Sequence, residues 1–366
     1  MDEGNVLLFP GQIIRPPVTK ETPTLLMEKL YKMKIKNIKE LNAYDDKNYH
    51  ILCYEDHTNP YISTIEEHGY VLKIVNSIDS KKKNVIEAHN EILRFLNHNG
   101  ICCPLPIKNI NDKYYSLETL ESTRKNVSGN EKYAVKLLVY RPGELLSNVP
   151  ATSDLMFKVG QFASSLTNCL AKHNEPALSN YQPLWSLASV PRLREFIYVV
   201  KNDEDIKMVN SVISKFEKEV LQEAWPNLEK GIIHGDLNEQ NIILNHSCND
   251  ISAVIDFGDT QMTCVVFELA ILMCYMILHA KDINIGKFVI QGYQSNRKLT
   301  ELSKKILVLS VCARLCQSVV IGAYSYNLDS GNEYLLITQK YGWIMLRKLW
   351  KMNQNEILHA WGLKHE

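Results

Sequence analysis

Short apolar runs bounded by polar turns dominate the chain up to about residue 140. Asn37–Leu41, Tyr49–Tyr54, Tyr70–Val75 and Lys132–Tyr140 have the β-branched and aromatic content of buried strands. Before the last of these runs, Asn84–Leu96 has apolar residues at helical spacing behind an asparagine that suits a helix N-cap. The pattern predicts a small antiparallel sheet with one main helix.

Helical periodicity replaces the strand pattern after Pro150. The predicted helices are Asp154–His173, Arg192–Val200, Asp203–Ala224, Phe267–Leu278, Ile285–Tyr293, Thr300–Ala323 and Glu333–Met352. Residues 1–21 contain three prolines and show no period, so we expect an arm or an irregular packing segment there. The chain is therefore expected to have an α+β fold in three parts: the arm of residues 1–21, a β lobe of residues 22–140 and a larger, mainly helical lobe of residues 141–366.

Three apolar runs within residues 231–255 predict a further small sheet inside the helical part. Polar side chains gather at one end of these runs: His234, Asp236, Asn238, Asn241, Asp256 and Asp259. Carboxylate and amide oxygens in one place are the ligands that Mg²⁺ prefers. The alternative is an ordinary strand–turn–strand in which the same side chains cap turns through local hydrogen bonds.

The pattern H-G-D-x-x-x-x-N at residues 234–241, followed by D-F-G-D at residues 256–259, resembles the catalytic and metal-binding loops of the aminoglycoside phosphotransferase family. Members of this family are related to protein kinases but act on small molecules. Protein kinases carry H-R-D-x-x-x-x-N and D-F-G in these places. The resemblance implies a bilobal, protein-kinase-like fold. It also implies that Asp236 orients and deprotonates an acceptor hydroxyl, while Asn241 and Asp256 hold magnesium.

Lys73 lies in the middle of an apolar strand, so it is either on a solvated face or in a cleft where an anion compensates it. The string V-L-K-I around it is similar to the V-A-I-K of kinases, whose lysine holds the α- and β-phosphates. The resemblance then implies an acid on the following helix as the partner of Lys73. Glu87 is the predicted partner and Glu91, one turn further on, is the alternative.

The loop Asn42–Asn48 occupies the position of a phosphate-covering loop in this family, although it contains no glycine. Backbone amides and Asn48 are expected to meet the phosphates, with a plain hairpin as the alternative. The two aspartates of the loop are unfavourable near phosphates unless they point away. At the end of the β lobe, backbone groups of Val139, Tyr140 and Arg141 are expected to meet the purine.

Arg314 interrupts an otherwise apolar helix and therefore needs a partner. One interpretation is an internal ion pair with Glu268 or another acid, Glu268 being placed where the family has an acid that braces the catalytic loop. The other interpretation is a cation that receives the carboxylate of a substrate.

A narrower resemblance, to one group of enzymes within this family, is carried by four segments: AYDDKNYHI, IIHGDLNEQNII, IDFGDTQMTCVVFELA and ARLCQSVVIGAYSY. It implies GTP as the phosphoryl donor and the side-chain hydroxyl of 5-hydroxylysine as the acceptor. The candidate substrate-binding residues are then Arg314, Asp259, Trp185 and Tyr324. Another amino alcohol, such as choline, homoserine or an aminoglycoside, and a nucleotide-binding pseudokinase scaffold are the alternatives.

Composition limits the remaining classes of function. Lys+Arg and Asp+Glu balance at 41 each, so no overall field attracts nucleic acid or an anionic membrane. The longest charge-free apolar run, Leu269–Leu278, is shorter than the roughly 20 residues that span a bilayer. Nine cysteines without C-x-x-C pairs, and no apolar leader, predict a free-thiol enzyme of the cytoplasm.

Overall fold

A computed structural model describes residues 7–120, 131–328, 330–331 and 338–363 of the chain. The chain divides into two compact units. The first contains Gln12–Pro142, and the second contains Gly143–Glu366 together with Phe9–Gly11. The lobe boundary predicted after residue 140 lies beside this division.

The first unit is built on a six-stranded antiparallel sheet with one long helix. The elements are α1 (Thr22–Leu26), β1 (Met33–Leu41), β2 (Lys47–His57), β3 (Tyr70–Ile74), α2 (Lys83–His98), β4 (Pro106–Ile107), β5 (Ser116–Thr119) and β6 (Lys132–Val139). The strand order is β1-β2-β3-β6-β4. β5 also pairs with β6, along its first half, whereas β4 pairs with its second half. One long helix, α2, interrupts the succession of strands, as the hydrophobic pattern predicts.

The two faces of this sheet bury different residues because successive side chains along a strand point to opposite sides. Alternate residues of β3, namely Tyr70, Leu72 and Ile74, pack in the main core with Leu30 and Tyr31, which follow α1. On the other face Val75 and Ala134 pack against Ile86 of α2. Lys73 and Val75 are two positions apart, so their side chains point to the same side of the sheet. Lys73 therefore lies on the face that α2 covers.

Two segments of the first unit depart from a simple helix or hairpin. The segment that follows the N-terminal arm is an α-helical turn, α1, followed by a π-helical segment, Met27–Tyr31, and β1 already begins at Met33. Residues 108–115 form a turn between β4 and β5, and these two strands do not form a hairpin because both pair with β6.

The second unit is mainly helical. Its helices are α3 (Ser153–Leu170), α4 (Asp203–Phe216), α5 (Val266–Ala280), α6 (Gly286–Asn296), α7 (Glu301–Leu328), α8 (Gln339–Lys351) and α9 (Gln354–Ala360). A π-helical segment extends α4 to Ala224, and 3₁₀ segments at Leu187–Glu195 and Ile197–Val199 replace the short helix predicted near residues 192–200. The beginning of the predicted helix Glu333–Met352 lies outside the described residues.

Two small sheets, and not one, carry the motif of residues 234–259. The strands are β7 (Glu144–Leu145), β8 (Lys230–Ile233), β9 (Ile242–Leu244), β10 (Ile251–Val254) and β11 (Gln261–Cys264). One sheet has the order β10-β9-β7, and the other pairs β8 with β11. The single sheet predicted from the three apolar runs was therefore wrong, because β8 pairs with a strand that the sequence pattern did not reveal.

Two helices form the core beneath these sheets. α5 is buried from Val266 to Leu278, and α7 is buried through most of its length. By length and composition α7 alone among the described helices could cross a membrane, but 94% of its most apolar window is buried inside the protein. α3 and α6 approach closely because glycines face the partner backbone: a Cβ at Gly160 would lie 2.0 Å from the Val289 carbonyl oxygen, and one at Gly292 would lie 1.8 Å from the Phe157 oxygen.

Candidate active site

The segment between β8 and β9, residues 234–241, forms a loop that we call the catalytic loop. Gly235 has a positive φ of 83°, and a Cβ there would lie 2.4 Å from the carbonyl oxygen of Asp259. Only glycine tolerates both conditions. The close approach brings the catalytic loop against residues 256–259, so the two halves of the sequence motif meet.

Asp236 is the most strongly held side chain of the catalytic loop. Its Oδ2 accepts hydrogen bonds from the amide groups of Asn238 and Asn241, each at 2.9 Å. Its Oδ1 accepts a hydrogen bond from an Arg314 Nη at 2.8 Å. Burial raises the pKa of Asp236 to about 6, although Arg314 opposes the shift. The carboxylate is therefore ionised near neutral pH and has a fixed orientation, as a general base requires.

His234 is a structural residue and not a catalytic one. Its Nε2 donates to the Ile255 carbonyl oxygen at 3.0 Å, while its Nδ1 accepts from the backbone N–H of Asp236 at 3.2 Å. Burial lowers the pKa of His234 to about 4, so the imidazole is neutral. It links the catalytic loop to the end of β10.

Glu268, in the first turn of α5, braces the catalytic loop from below. Its two carboxylate oxygens accept the backbone N–H groups of His234 at 2.5 Å and Gly235 at 3.2 Å. The side chain is fully buried, and burial raises its pKa to about 7. The role suggested by the family resemblance therefore agrees with the observed contacts.

Arg314 of α7 forms an internal ion pair, and its acid is Asp236 instead of Glu268. The other guanidinium nitrogens donate to the Trp185 carbonyl oxygen at 2.6 Å and to the Tyr275 hydroxyl at 3.2 Å. The guanidinium also lies over the Trp185 ring, 4.9 Å from its centroid. With 1% of its surface exposed, Arg314 is committed to these partners. The second interpretation, a direct contact with a substrate carboxylate, does not fit this geometry.

Asn241 and Asp256 lie at neighbouring strand ends. The backbone N–H of Ile255 donates to the Asn241 carbonyl oxygen at 2.9 Å, which places Asp256 one residue beyond this contact. The Asn241 amide nitrogen donates to the carbonyl and carboxylate of Asp236, so its amide oxygen remains as a potential ligand. Asp256 is exposed and has a φ of 60°, in the left-handed region that non-glycine residues adopt uncommonly and aspartate more readily than most.

These two oxygens fit a hard cation that completes its coordination with phosphates and water. The described residues contain no cluster of three or more His, Cys, Asp or Glu side chains suited to a metal ion. A cation at this site would therefore depend on a bound nucleotide for further ligands.

The remaining predicted substrate residues are not all at the site. Trp185 and Asp259 lie near it, since Trp185 contacts Arg314 and the Asp259 backbone touches Gly235. Tyr324 does not, because ten residues of α7 separate it from Arg314, which is about 15 Å along a helix. Its hydroxyl accepts the backbone N–H of Gly11 at 2.7 Å, so it fixes the N-terminal segment.

The first unit contains the residues predicted to bind nucleotide. Lys73 forms an ion pair with Asp46 at 2.9 Å, and Asn48 lies opposite Lys73 in the pairing of β2 with β3. Glu87 is exposed, with the Tyr115 hydroxyl donating to it at 3.5 Å, and Glu91 is exposed and paired with Arg94. The predicted partnership of Lys73 with Glu87 is therefore corrected: the acid beside Lys73 comes from the loop between β1 and β2.

Contacts through the backbone N–H groups of Val139 and Tyr140 are also excluded for the purine. The Val139 N–H donates to the Leu105 carbonyl oxygen at 2.8 Å, and the Tyr140 N–H donates to the Gly69 carbonyl oxygen at 3.0 Å. The Tyr140 ring instead stacks on His50, with 3.9 Å between ring centroids. A contact with a nucleobase would use these rings, the carbonyl oxygens or the backbone of Arg141.

Sequence reasoning missed two acids of the site regions. The sequence pattern indicates for Asp46 only an unfavourable charge near phosphates, and it indicates no role for Glu239. Glu239 lies in the catalytic loop, is buried with one carboxylate oxygen lacking a hydrogen-bond partner, and has a pKa raised to about 7 by burial. A charged residue inside the H-G-D-x-x-x-x-N pattern was the only available signal.

The chain resembles known phosphotransferases over nearly its whole length. The model of the phosphotransferase enzyme family matches residues 55–302. A hydroxylysine kinase of Xenopus laevis is 34% identical over 364 residues, covering 95% of this chain and 94% of that protein. A hydroxylysine kinase of Bos taurus is 31% identical over 361 residues, covering 95% and 94%.

Two solved structures share the fold. A microcompartment-associated aminopropanol kinase has a TM-score of 0.67 at 14% identity and covers 94% of this chain and 99% of its own. An amicoumacin kinase in complex with AMP-PNP, Ca²⁺ and amicoumacin has a TM-score of 0.65 at 13% identity, covering 93% and 97%. The predicted α+β, protein-kinase-like fold is thereby confirmed.

Proposed function

The chain belongs to the phosphotransferase enzyme family, and we propose that it transfers the γ-phosphoryl group of a nucleoside triphosphate to the side-chain hydroxyl of 5-hydroxy-L-lysine. That it is a small-molecule kinase acting on a hydroxyl follows from the family and from relatives that match 95% of the chain. The names of those relatives support hydroxylysine as the acceptor.

The observation that carries the reaction type is the fixed carboxylate of Asp236. In the proposed mechanism an Asp236 oxygen accepts the proton of the acceptor hydroxyl as the hydroxyl oxygen forms its bond to the γ-phosphorus. The bond between the γ-phosphorus and the bridging oxygen breaks, and the nucleoside diphosphate leaves with that oxygen. Lys73 supplies positive charge to the α- and β-phosphates. Positioning and charge neutralisation account for most of the catalysis in such reactions.

A divalent metal ion accompanies nucleotide in this family, as in the amicoumacin kinase complex with Ca²⁺. We propose Mg²⁺ for this chain, held by the amide oxygen of Asn241 and the carboxylate of Asp256. When bound, the ion neutralises phosphate charge. Support comes from the orientation of the Asn241 amide, whose nitrogen is occupied by Asp236.

We also propose GTP as the phosphoryl donor and the cytoplasm as the location of the protein. GTP rests on sequence resemblance. All nine cysteines are free thiols, which supports a reducing compartment.

The test is a matrix of acceptors and donors with purified protein. GTP and ATP, each with Mg²⁺, are combined with 5-hydroxylysine, homoserine, choline and an aminoglycoside. Homoserine is included because a homoserine kinase of Granulibacter bethesdensis is 32% identical over 102 residues. We expect the highest kcat/KM for 5-hydroxylysine. Preferred turnover of another acceptor would reassign the substrate, and nucleotide binding without turnover of any acceptor would leave a pseudokinase.

A further inference from the structure

We propose that Asp46 is the residue that positions the Lys73 ammonium for the nucleotide phosphates, so that the loop between β1 and β2 carries the counter-ion of its own phosphate-binding lysine. The Lys73 Nζ lies 2.9 Å from Asp46 Oδ2. This inference rests on the proposed function, because it takes Lys73 as the phosphate-binding cation.

Asp46 is held in place by a second contact. Its Oδ1 accepts hydrogen bonds from the backbone N–H of Asn76 at 2.8 Å and from the Asn76 amide at 3.1 Å. One carboxylate oxygen is thus bound to the backbone that follows β3, and the other faces the lysine of the same strand. A carboxylate fixed at both oxygens acts as a permanent counter-ion, whereas a stand-in for phosphate would need freedom to leave.

Asn76 is itself immobilised. Its amide oxygen accepts the backbone N–H groups of Ile78 and Asp79 at 3.1 and 3.0 Å, and its amide nitrogen also donates to Asp79 Oδ2 at 2.8 Å. Asp79 in turn binds Lys82 at 2.9 Å. The contacts run from Lys73 through Asp46, Asn76 and Asp79 to Lys82, so that the orientation of Asp46 is determined by the turn that leads into α2.

The lysine has a strong need for this anion. Lys136 of β6 is directly opposite Lys73 in the strand pairing, and both residues are more than nine-tenths buried. Like charges directly opposite each other on neighbouring strands repel, and burial increases the repulsion. Asp46 is an anion that offsets it in the ligand-free protein, and phosphates would add to it.

The acids of α2 are unable to serve in this way. The exposed stripe of α2 runs through Asn84, Glu87, Glu91 and Arg94, at helical spacing, while the buried, mainly apolar face includes Ile86, Asn90 and Leu93. Rotating Glu87 toward Lys73 would expose that apolar face. The neighbouring Asp45 is no substitute either, because burial and the charge of Asp46 raise its pKa to about 7.

A functional consequence follows from the position of Asp46. The same loop is the one expected to meet the phosphates through its backbone amides, so that ordering the loop and orienting Lys73 are one event. In kinases with a helix acid these are separate events. The loop also lacks glycine, which suits a segment fixed by an ion pair.

The test compares substitutions that remove or keep the charge of single acidic residues in the full-length chain. Asp46→Asn keeps the shape and removes the charge, Asp46→Glu keeps the charge, and Glu87→Gln tests the helix acid. Asp56→Asn is the matched control, since Asp56 is an exposed residue at the opposite end of β2. The dissociation constant of Mg²⁺–nucleotide is measured by calorimetry without acceptor, and KM is measured separately for nucleotide and acceptor. Melting temperatures establish that each variant is folded.

We expect Asp46→Asn to weaken nucleotide binding by about tenfold or more, as for a lost charge-assisted hydrogen bond, with the KM for acceptor little changed. Asp46→Glu should recover part of the affinity, and Glu87→Gln should lose less than Asp46→Asn. Tighter nucleotide binding by Asp46→Asn would identify Asp46 as a competitor of phosphate, and a larger loss in Glu87→Gln would restore the helix acid; either result overturns the inference. Absence of nucleotide binding by the wild-type chain would instead reject the proposed function.

Discussion

Replacing Arg314 with methionine tests whether the buried arginine acts through the catalytic base. Methionine keeps much of the volume and the apolar packing of α7 while removing the partner of Asp236. Trp185 and Tyr275 keep an apolar neighbour in place of the guanidinium.

The magnitude follows from the burial of the two side chains. Removing one member of a fully buried ion pair costs about 3–5 kcal/mol. The Asp236 side chain is 21% exposed and would still accept hydrogen bonds from two amide groups. We therefore take the lower limit of this range, about 3 kcal/mol, as the cost of removing Arg314. At 1.36 kcal/mol per pKa unit, this raises the pKa of Asp236 by at most about two units, from about 6 to about 8.

The sign of the effect on activity is fixed by the role of Asp236. The ionised carboxylate is the base, so a higher pKa lowers the active fraction at a given pH. With a pKa of about 8 roughly a tenth of the molecules are ionised at pH 7, and kcat/KM there falls about tenfold. The loss should largely disappear near pH 9, where both proteins are ionised.

The assay is the profile of kcat/KM between about pH 5.5 and about pH 9.5, for wild type, Arg314→Met and Arg314→Lys. Lysine keeps a positive charge but lacks the planar guanidinium that also donates to the Trp185 carbonyl oxygen. The fall in kcat/KM at acid pH should therefore occur, for Arg314→Lys, between the pH values found for wild type and for Arg314→Met. KM is measured in parallel for the proposed acceptor and for its decarboxylated analogue. An unchanged acid limb, together with a KM raised only for the carboxylate-bearing acceptor, would refute the reasoning and return Arg314 to the substrate pocket.

Four further substitutions test the rest of the site. Asp256→Ala should abolish turnover and weaken the Mg²⁺ dependence of nucleotide binding, which a metal titration measures; unchanged turnover would remove the metal assignment. Asp236→Asn should lower kcat by orders of magnitude with little loss of nucleotide binding, whereas Lys73→Ala should lose nucleotide binding; calorimetry showing the reverse would exchange their roles. Glu268→Gln should cost about 1–3 kcal/mol in unfolding free energy, because an amide N–H₂ would face one backbone N–H. Since the folded protein holds the Glu268 proton to about pH 7, wild-type stability falls as pH rises from about 4.5 to about 7, and the variant should lack this part of the dependence.

The residues that sequence pattern located well are those whose position is set by local structure. The catalytic loop is fixed by a strand before it, a strand after it and a glycine with positive φ, all of which lie within a few residues of Asp236. Lys73 was likewise placed by the alternation of β3. Periodicity and motif spacing describe interactions of this range.

The partners of those residues are set by contacts between distant parts of the chain, and a local sequence pattern does not predict such contacts. Arg314 is 78 positions from Asp236, and the apolar character of α7 indicated only that the arginine needed some acid. Asp46 precedes Lys73 by a whole strand and a long loop, whereas the family pattern directed attention to the helix that follows. In both cases the sequence established that a buried cation must be compensated, and tertiary structure chose which carboxylate does so. The same charge balance makes the two ion pairs informative targets, because each joins a residue that the family motif predicts to one that it does not. A change at Arg314 or Asp46 therefore alters the base or the phosphate-binding lysine without touching the motif itself.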